Sequence, residues 1–372
     1  MHPADALDRI VYLLDRALES SQKVRAYARA RDVVREQGDD EVRRLADAGR
    51  LTDLAGIGPK TAAIIEQALA GGVPDYVTAL EDDTAIDPGE GAELRAALKG
   101  DCHLHSTWSD GGASIEAMAR SAMALGHEYM VLTDHSPRLT VAHGLSATRL
   151  RQQLDEVDAL NERLAPFRIL TGIEVDILAD GALDQDEALL ARLDVVVASV
   201  HSKLGMERAE MTRRIVSAVA SPHVDILGHC TGRKVAYWDR FPSGAATGRK
   251  SAEPVSDEEK AAPVEARSRP RRGRPPSGRP DGPGKGANRA DRAWSTPIPG
   301  GGRAPAQFDP EIVFAACARF GTALEINCRP ERQDPPEDLL DLAVEWGLEF
   351  SIDTDAHAPG QLEWQPYGCA KA

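Results

Sequence analysis

Apolar residues along roughly the first hundred positions recur at helical spacing. In "ADALDRIVYLLDRALES" they set Ala6, Ile10, Leu13, Leu14 and Leu18 on one stripe. The next run, "SQKVRAYARARDVVREQ", is also helical and sets Lys23, Arg25, Arg29, Arg31 and Arg35 against Asp32 and Glu36. A third, "LTDLAGIGPKTAAIIEQALAGG", breaks at Gly56-Ile57-Gly58. It resumes as a helix with Pro59 in the first turn, where a missing N–H is tolerated. From Asp101 onward, short apolar runs alternate with amphipathic ones. Strands are expected at 102–105, 129–135, 168–177, 195–201, 224–230, 323–329 and 350–357. Helices are expected between them at 114–125, 146–165, 184–192, 208–220, 309–320 and 336–346. Asp309-Pro310 opens one of these helices and Gly321 closes it, while Gly347 closes the next. Repeated βα units predict a parallel sheet, and seven in a row favour a closed barrel over an open sheet.

This pattern divides the chain into a helical domain over 1–98 and an α/β domain over 101–372. The second is interrupted at 242–305 by a stretch rich in Pro, Gly, Arg and Ser and poor in large apolar residues. Such a composition cannot bury enough surface to order itself, so it is read as a disordered insertion. Lengthening a loop from ~10 to ~60 residues costs about 1.5 kcal/mol of closure entropy, which a barrel can carry.

Bulk composition narrows the class. At 372 residues, with 42% hydrophobic and 28% charged residues, the chain is that of a globular protein large enough for two units. It holds no apolar run of membrane-spanning length. "MHPADALDRIVYLL" lacks the features of a signal peptide. The five cysteines are odd in number and unpaired in spacing, so reduced thiols and a cytoplasmic location are expected. A net charge of −15 argues against non-specific adhesion to nucleic acid, so any such contact must be local.

The strand ends carry the chemistry. The first holds His103 and His105, two apart and therefore on one face, with Asp110 in its loop. The second ends at Asp134 and His135, and the third passes through Glu174. His201 and His229 close the fourth and fifth, Asn327 and Arg329 the sixth, and Asp353, Asp355 and His357 the seventh. In a βα barrel these ends converge on one mouth. Core strands have no structural reason to finish in His, Glu and Asp, and six of ten histidines fall there. Imidazoles mixed with carboxylates suit Zn²⁺, Mn²⁺ or Fe²⁺ rather than Ca²⁺, with Mg²⁺ a further candidate. Clustered divalent ions clamp phosphate oxygens and lower the pKa of a bound water toward ~7, so no serine or cysteine nucleophile is needed. Lys203 and Arg329, just past strand ends, are candidates to hold a phosphate, or are ordinary surface charges. Cys102 and Cys230 each adjoin a ligand and point away from the cluster, as packing residues.

The run "DCHLHSTWSDG…VLTDHS…LTVAHGL…TGIEVDILADG…VVASVHS…PHVDILGH…TGR…ALEINCRPER…SIDTDAHAPGQL" resembles the polymerase-and-histidinol-phosphatase (PHP) family of metal-dependent phosphoesterases. It is most similar to the PHP domain of bacterial family X DNA polymerases. The resemblance implies a distorted seven-stranded (β/α)7 barrel, TIM-like, with three divalent ions. Their implied ligands are His103, His105, Asp110, His135, Glu174, His201, His229, Asp355 and His357. One ion would take His103, His105, Glu174 and Asp355. A second would share Glu174 and take His201 and His229. The third would take Asp110, His135 and His357. The implied reaction is phosphoester hydrolysis by a metal-bound hydroxide, with Glu174, Asp355 and His201 at its centre.

"LAGIGPKTAAII" resembles a helix-hairpin-helix. In that motif the amides of a turn such as Gly56-Ile57-Gly58, with Lys60 beside them, hold a DNA phosphate. Leu54, Ala62 and Ile65 are spaced to pack the hairpin; the alternative is a plain tight turn between helices. Residues 1–80 also resemble the N-terminal domain of family X polymerases. Ile64 replaces the lysine of lyase-competent members, and the short stretch before Asp101 leaves no room for a palm and fingers. The chain is therefore not read as a polymerase. Arg271-Arg272-Gly273-Arg274-Pro275 resembles an AT-hook core, a pattern that Arg- and Pro-biased composition also produces.

The leading expectation is a phosphoesterase acting on DNA ends, as a 3′-5′ exonuclease or 3′-phosphatase in repair. The alternatives are a small-molecule phosphatase of the histidinol-phosphatase type and a non-catalytic DNA-binding adaptor. With only "EWQPYGCAKA" near the end, the last strand is expected to be poorly covered.

Overall fold

The computed structural model describes residues 1–235 and 303–372. Helices α1 (Pro3–Arg16), α2 (Ser21–Gln37), α3 (Asp39–Asp47), α4 (Pro59–Leu69), α5 (Asp75–Asp83) and α6 (Ala92–Ala97) make up the N-terminal part. The expected stripe of α1 is at its centre: Ala6, Leu7, Ile10, Leu13 and Leu14 are fully buried against Ala30, Val34, Leu45, Ile65 and Val77. Each buried Leu or Ile contributes roughly 1.5–3 kcal/mol, so this face does most to hold the domain together. Leu18 departs from the stripe. The helix ends at Arg16, Leu18 turns to φ 51°, and its side chain packs with Ile326, Ile352 and Trp364 of the second domain.

The second domain is α/β. Strands β1 (Tyr129–Leu132), β2 (Arg168–Asp176), β3 (Val195–Ser199), β4 (Ile226–Leu227), β5 (Ala323–Asn327) and β6 (Phe350–Asp353) lie in sequence order, each parallel to the next. Between and around them run α7 (Ile115–Ala124), α8 (Ala147–Leu164), α9 (Glu187–Leu190), α10 (Arg208–Val219), α11 (Pro310–Phe320), α12 (Glu337–Glu345) and α13 (Gln365–Cys369). Val196, Ala198, Ile215, Phe314 and Leu324 form a core between the sheet and α10 and α11. A second core joins Met118, Met130, Leu132, Leu160 and Ile169.

Among the described residues the sheet has six strands where seven were expected. The segment 102–105 is reduced to Leu104, which makes single parallel bridges to Leu132 of β1 and to Ala356 just past β6. Side chains have taken over the ladder here. The Cys102 amide donates to Asp353 (2.7 Å), that of His103 to Asp101 (3.1 Å) and that of Leu104 to the Thr133 hydroxyl (2.9 Å). With three of its four amides committed to side chains, and only that of His105 donating to a backbone carbonyl (Ala356, 2.8 Å), the segment cannot form a regular strand. It still lies between the first and last strands, so the two ends of the curled sheet meet across one residue.

Two further expectations change. The last strand is covered: a 3₁₀ turn (Pro359–Trp364) and α13 pack beneath it, with the buried Trp364 and Cys369 joining Cys328 and Ile352. Arg303, assigned by composition to the insertion, pairs with Lys234 through two backbone hydrogen bonds (2.9 and 2.7 Å). The rest of the insertion up to Gly302, with Arg271–Pro275, lies outside the described residues.

Gly172 sits in β2 with neighbours pressed against it. A Cβ there would lie 2.7 Å from Val131 Cγ1 and 2.8 Å from the Val195 carbonyl oxygen. Gly172→Ala is expected to destabilise the protein by roughly 1–3 kcal/mol through overpacking. An unchanged urea midpoint would contradict this tight packing between β1 and β3.

Candidate metal centre

Each strand delivers its side chain to the same end of the sheet, and Glu174 of β2 occupies the middle. Its carboxylate, 1% exposed, faces imidazoles from four segments. Oε1 lies 3.0 Å from His201 Nε2 and 2.8 Å from His229 Nε2. Oε2 lies 2.8 Å from His135 Nδ1, 3.4 Å from His103 Nε2 and 3.6 Å from His105 Nε2. On the open side, Asp110 Oδ1 lies 3.5 Å from His135 Nε2 and 3.4 Å from His357 Nε2, while Asp355 Oδ1 lies 3.4 Å from His105 Nε2. All nine expected ligands are therefore brought together.

The donor set fits divalent ions. Two donors each ~2.1 Å from a tetrahedral ion stand ~3.4 Å apart, close to the spacing of most of these pairs. Three groups have ligand atoms mutually within 4.8 Å: His103, His105 and Asp355; His105, Asp110, His135 and His357; His135, Glu174 and His201. His135 belongs to two of these groups, with Asp110 and His357 as expected and with Glu174 and His201 as well, while His229 Nε2 stays 2.8 Å from Glu174. His103 Nε2, both ring nitrogens of His105, His201 Nε2 and Glu174 Oε2 are buried without a hydrogen-bond partner among the described residues. Buried polar atoms left this way are costly, and ligation by cations would satisfy them.

A surrounding frame holds the ligands in place. Glu325, in the middle of β5, accepts from His103 Nδ1 (2.5 Å) with one oxygen and from the His229 amide (2.5 Å) with the other. That bond would fix the His103 tautomer with Nε2 free to ligate. The Asp176 carboxylate lies 3.4 Å from His201 Nδ1. Asp134 is not among the ligands. It accepts from Ser106, Ser109 and Gln153 and so shapes the loop that carries Asp110. His229 and Asp355 are held at φ 21° and 51°, a left-handed backbone that costs a non-glycine residue about 1–3 kcal/mol. Cys230 is buried, as expected of a packing residue, and Cys102 is half-buried.

The two expected phosphate-holding residues are placed differently from one another. Lys203 is exposed in the loop after β3 at φ 53° and makes no ion pair among the described residues. Arg329 points inward and is already occupied. Its Nε pairs with Glu331 (2.9 Å), and its Nη1 donates to the Asp355 carbonyl (2.7 Å) and lies 2.8 Å from His357 Nδ1. Sequence reasoning passed over Arg332, whose Nε lies 3.1 Å from Asp355 Oδ2 and whose Nη1 is buried without a partner among the described residues. It also passed over Glu325, although a carboxylate inside the apolar run "ALEIN" was the signal for it.

In the hairpin, Gly56 takes φ 100°, Ile57 is buried and Gly58 caps α4. The Gly58 amide donates to the Thr61 hydroxyl (2.8 Å), and Lys60 is exposed. Ala62 and Ile65 are buried and Leu54 half-buried, as the hairpin spacing requires.

Charge within the cluster is balanced by proximity. Burial raises the Glu174 pKa, but His201, His103 and His135 outweigh it and hold the carboxylate well below its ordinary range. Asp355 is held down by Arg329 and Arg332 against the same burial. For His201 burial acts downward, yet Glu174 and Asp176 raise the pKa to about 9. His103 is likewise raised by Glu325 and Glu174 against burial, whereas burial, His357 and His135 push His105 down. His103 and His201 therefore carry protons near pH 7 in the metal-free protein, and must release them to bind an ion. Divalent-ion uptake at pH 7 is expected to release protons into a weakly buffered indicator solution. Affinity should rise with pH through about 9, where half of the His201 rings are neutral, and level off above it as His201 loses its remaining proton. Uptake without proton release at pH 7 would contradict these assignments.

Comparison with known proteins agrees with the sequence reading. Residues 101–231 match the family model described as PHP domain, and residues 1–74 match that described as Helix-hairpin-helix domain. A Bacillus subtilis (strain 168) protein named DNA polymerase/3'-5' exonuclease PolX is 35% identical over 292 residues, 78% of this chain and 40% of the relative. A "Probable phosphatase" of Thermoanaerobacter sp. (strain X514) is 34% identical over 135 residues, 35% of this chain and 52% of the relative. The chain thus spans about half of these curated relatives or less. A solved histidinol phosphate phosphatase from Lactococcus lactis, complexed with zinc, L-histidinol and phosphate, aligns with 73% of this chain and 90% of its own. Its identity is 17% and its TM-score 0.35. No helix among the described residues is long and apolar enough to cross a membrane. Residues 101–231 are thus similar to a PHP domain, preceded over residues 1–74 by a region similar to a helix-hairpin-helix domain.

Proposed function

We propose that this chain is a phosphoesterase dependent on three divalent ions, of Zn²⁺, Mn²⁺, Fe²⁺ or Mg²⁺ type, and that it acts on DNA ends as a 3′-5′ exonuclease or 3′-phosphatase. The observation that carries this reading is the convergence of nine metal-type ligands in a chain that also presents a helix-hairpin-helix. The ions, when bound, would supply charge to the phosphate oxygens and a nucleophilic water. His103, His105, Glu174 and Asp355 would hold one ion, Glu174 and His201 a second with His229 or His135, and Asp110 and His357 the third.

The protein's own groups have separate tasks. Arg332, with an unpartnered buried Nη1 beside Asp355, is placed to receive a phosphate oxygen. The half-buried Lys234 and Arg303 add positive potential near it. Lys203 is left to contact the substrate from the rim. At the hairpin, the first-turn amides of Lys60 and Thr61 have no intrahelical partner and, with the Lys60 ammonium, would take a backbone phosphate. Gly56, Ile57 and Gly58 shape that turn.

The second reading, a small-molecule phosphatase, is favoured by the match to relatives named as phosphatases. Digestion of a 5′-labelled oligonucleotide with Mn²⁺ separates the two. A chelator-sensitive ladder that His103→Ala abolishes is expected. Arg332→Met should lower kcat/KM about 10–100-fold on both DNA and p-nitrophenyl phosphate, the scale of a charged hydrogen bond. Lys60→Glu should weaken action on DNA alone. An intact oligonucleotide beside rapid hydrolysis of the small ester would move the assignment to the second reading.

A further inference from the structure

The helical domain touches the α/β domain through a small bracket that also reaches the metal ligands. This bracket is the 3₁₀ turn Pro359–Trp364. On its outer side it fits α1 closely: a Cβ on Gly360 would lie 2.0 Å from the Tyr12 carbonyl oxygen. Glu363 pairs with Arg16 (2.7 Å), and the indole N–H of Trp364 donates to the Arg16 carbonyl (3.0 Å). Arg16 is itself buried and braced by the Thr84 hydroxyl (2.6 Å). These contacts fix the end of α1, where Leu18 leaves the helix to join the same core.

On its inner side the bracket meets the ligands in two independent ways. The Gln361 side chain accepts from the His357 amide (2.7 Å). Trp364, 1% exposed, lies under the Arg329 guanidinium at 5.4 Å from the ring centroid. Held there, Arg329 donates to the Asp355 carbonyl and lies 2.8 Å from His357 Nδ1.

We propose that the helical domain is a working part of the metal centre, and that Trp364 is the positioning residue through which α1 sets Arg329, His357 and Asp355. The proposal rests on the metal-centre reading above. It makes the affinity for divalent ions depend on a contact that touches no ligand. Partners one step behind metal ligands typically change affinity 10–100-fold. Trp364 acts one step further back, so a change of roughly 3–10-fold is expected at its site.

The test is Mn²⁺ binding by the full chain, measured by equilibrium dialysis for Trp364→Phe and Gly360→Ala. The phenylalanine keeps a ring under Arg329 but loses the donor to Arg16, and the alanine pushes α1 away. Ile10→Val serves as a control, since it loosens the helical core without altering the bracket. Weakened binding of at least one Mn²⁺ in both bracket variants, with wild-type binding in the control, is the expected result. Melting of the metal-free proteins runs in parallel. Lowered melting temperatures with unchanged Mn²⁺ affinity would overturn the proposal and leave a packing role only. A wild-type protein that binds no divalent ion would overturn the metal-centre reading and the proposal with it. If Gly360→Ala does not fold, Glu363→Gln replaces it with the same expected direction.

Discussion

One buried carboxylate organises the second domain. Five imidazole nitrogens from four segments stand within 3.6 Å of the two oxygens of Glu174, and no arrangement of protons satisfies them all. If every ring is neutral, some lone pairs face one another or the carboxylate. If several are charged, cations crowd together in a region of low dielectric. Divalent ions would resolve the conflict by offering positive charge where lone pairs converge. The rest of the architecture can be understood as the means of holding this cluster together. Parallel strands bring their C-terminal ends to one mouth, and carboxylates just behind the ligands hold rings and amides in place.

The acidic residues at the strand ends accordingly do two different jobs. Asp110, Glu174 and Asp355 turn toward the cluster. Asp101, Asp134, Asp353 and Glu325 turn toward backbone amides, hydroxyls or ring N–H groups. Asp353 takes the Cys102 amide in place of a ladder carbonyl, which is why the first expected strand shrinks to Leu104. Regular sheet is given up there in exchange for a fixed position of the two histidines on either side of Leu104. The left-handed backbone of His229 and Asp355 is a second cost of the same kind, repaid only by the ligand cluster.

Helix and strand positions, the mouth and all nine candidate ligands were legible in the sequence because each follows from a local rule. Periodicity gives the element, and polar residues that end apolar strands give the site. What was not legible depends on three-dimensional company. Arg329 and Arg332 are three apart in one loop, yet one is used up on Glu331, Asp355 and His357 while the other keeps a nitrogen unpaired. No spacing rule separates them. The closeness of His135 to Glu174 as well as to Asp110 has the same origin, since a backbone bridge joins His135 and Glu174. Leu18 fits the helical stripe by count, but the helix stops two residues earlier and a second core claims the side chain.

That last detail bears on how the two domains work together. The segment joining them is largely exposed but is anchored to the α/β domain at separate points, of which Gly91 and Gly100 are buried. A Cβ on Gly91 would lie 2.4 Å from the Ala370 amide nitrogen, and Arg95 reaches the Leu125 carbonyl (3.3 Å). With α1 seated on the 3₁₀ bracket and Gly91 and Arg95 touching the α/β domain, the helical domain is held to the barrel by more than one contact. For a reaction on a polymer end this matters energetically. A phosphate held at a fixed distance from the ions needs no further search, and orientation alone can supply several kcal/mol of a barrier. A flexible linker would supply only effective concentration, which falls as the linker lengthens. The packing between the domains therefore belongs with the chemistry: it would let a helical domain that holds no metal ligand determine where a DNA end meets the ions.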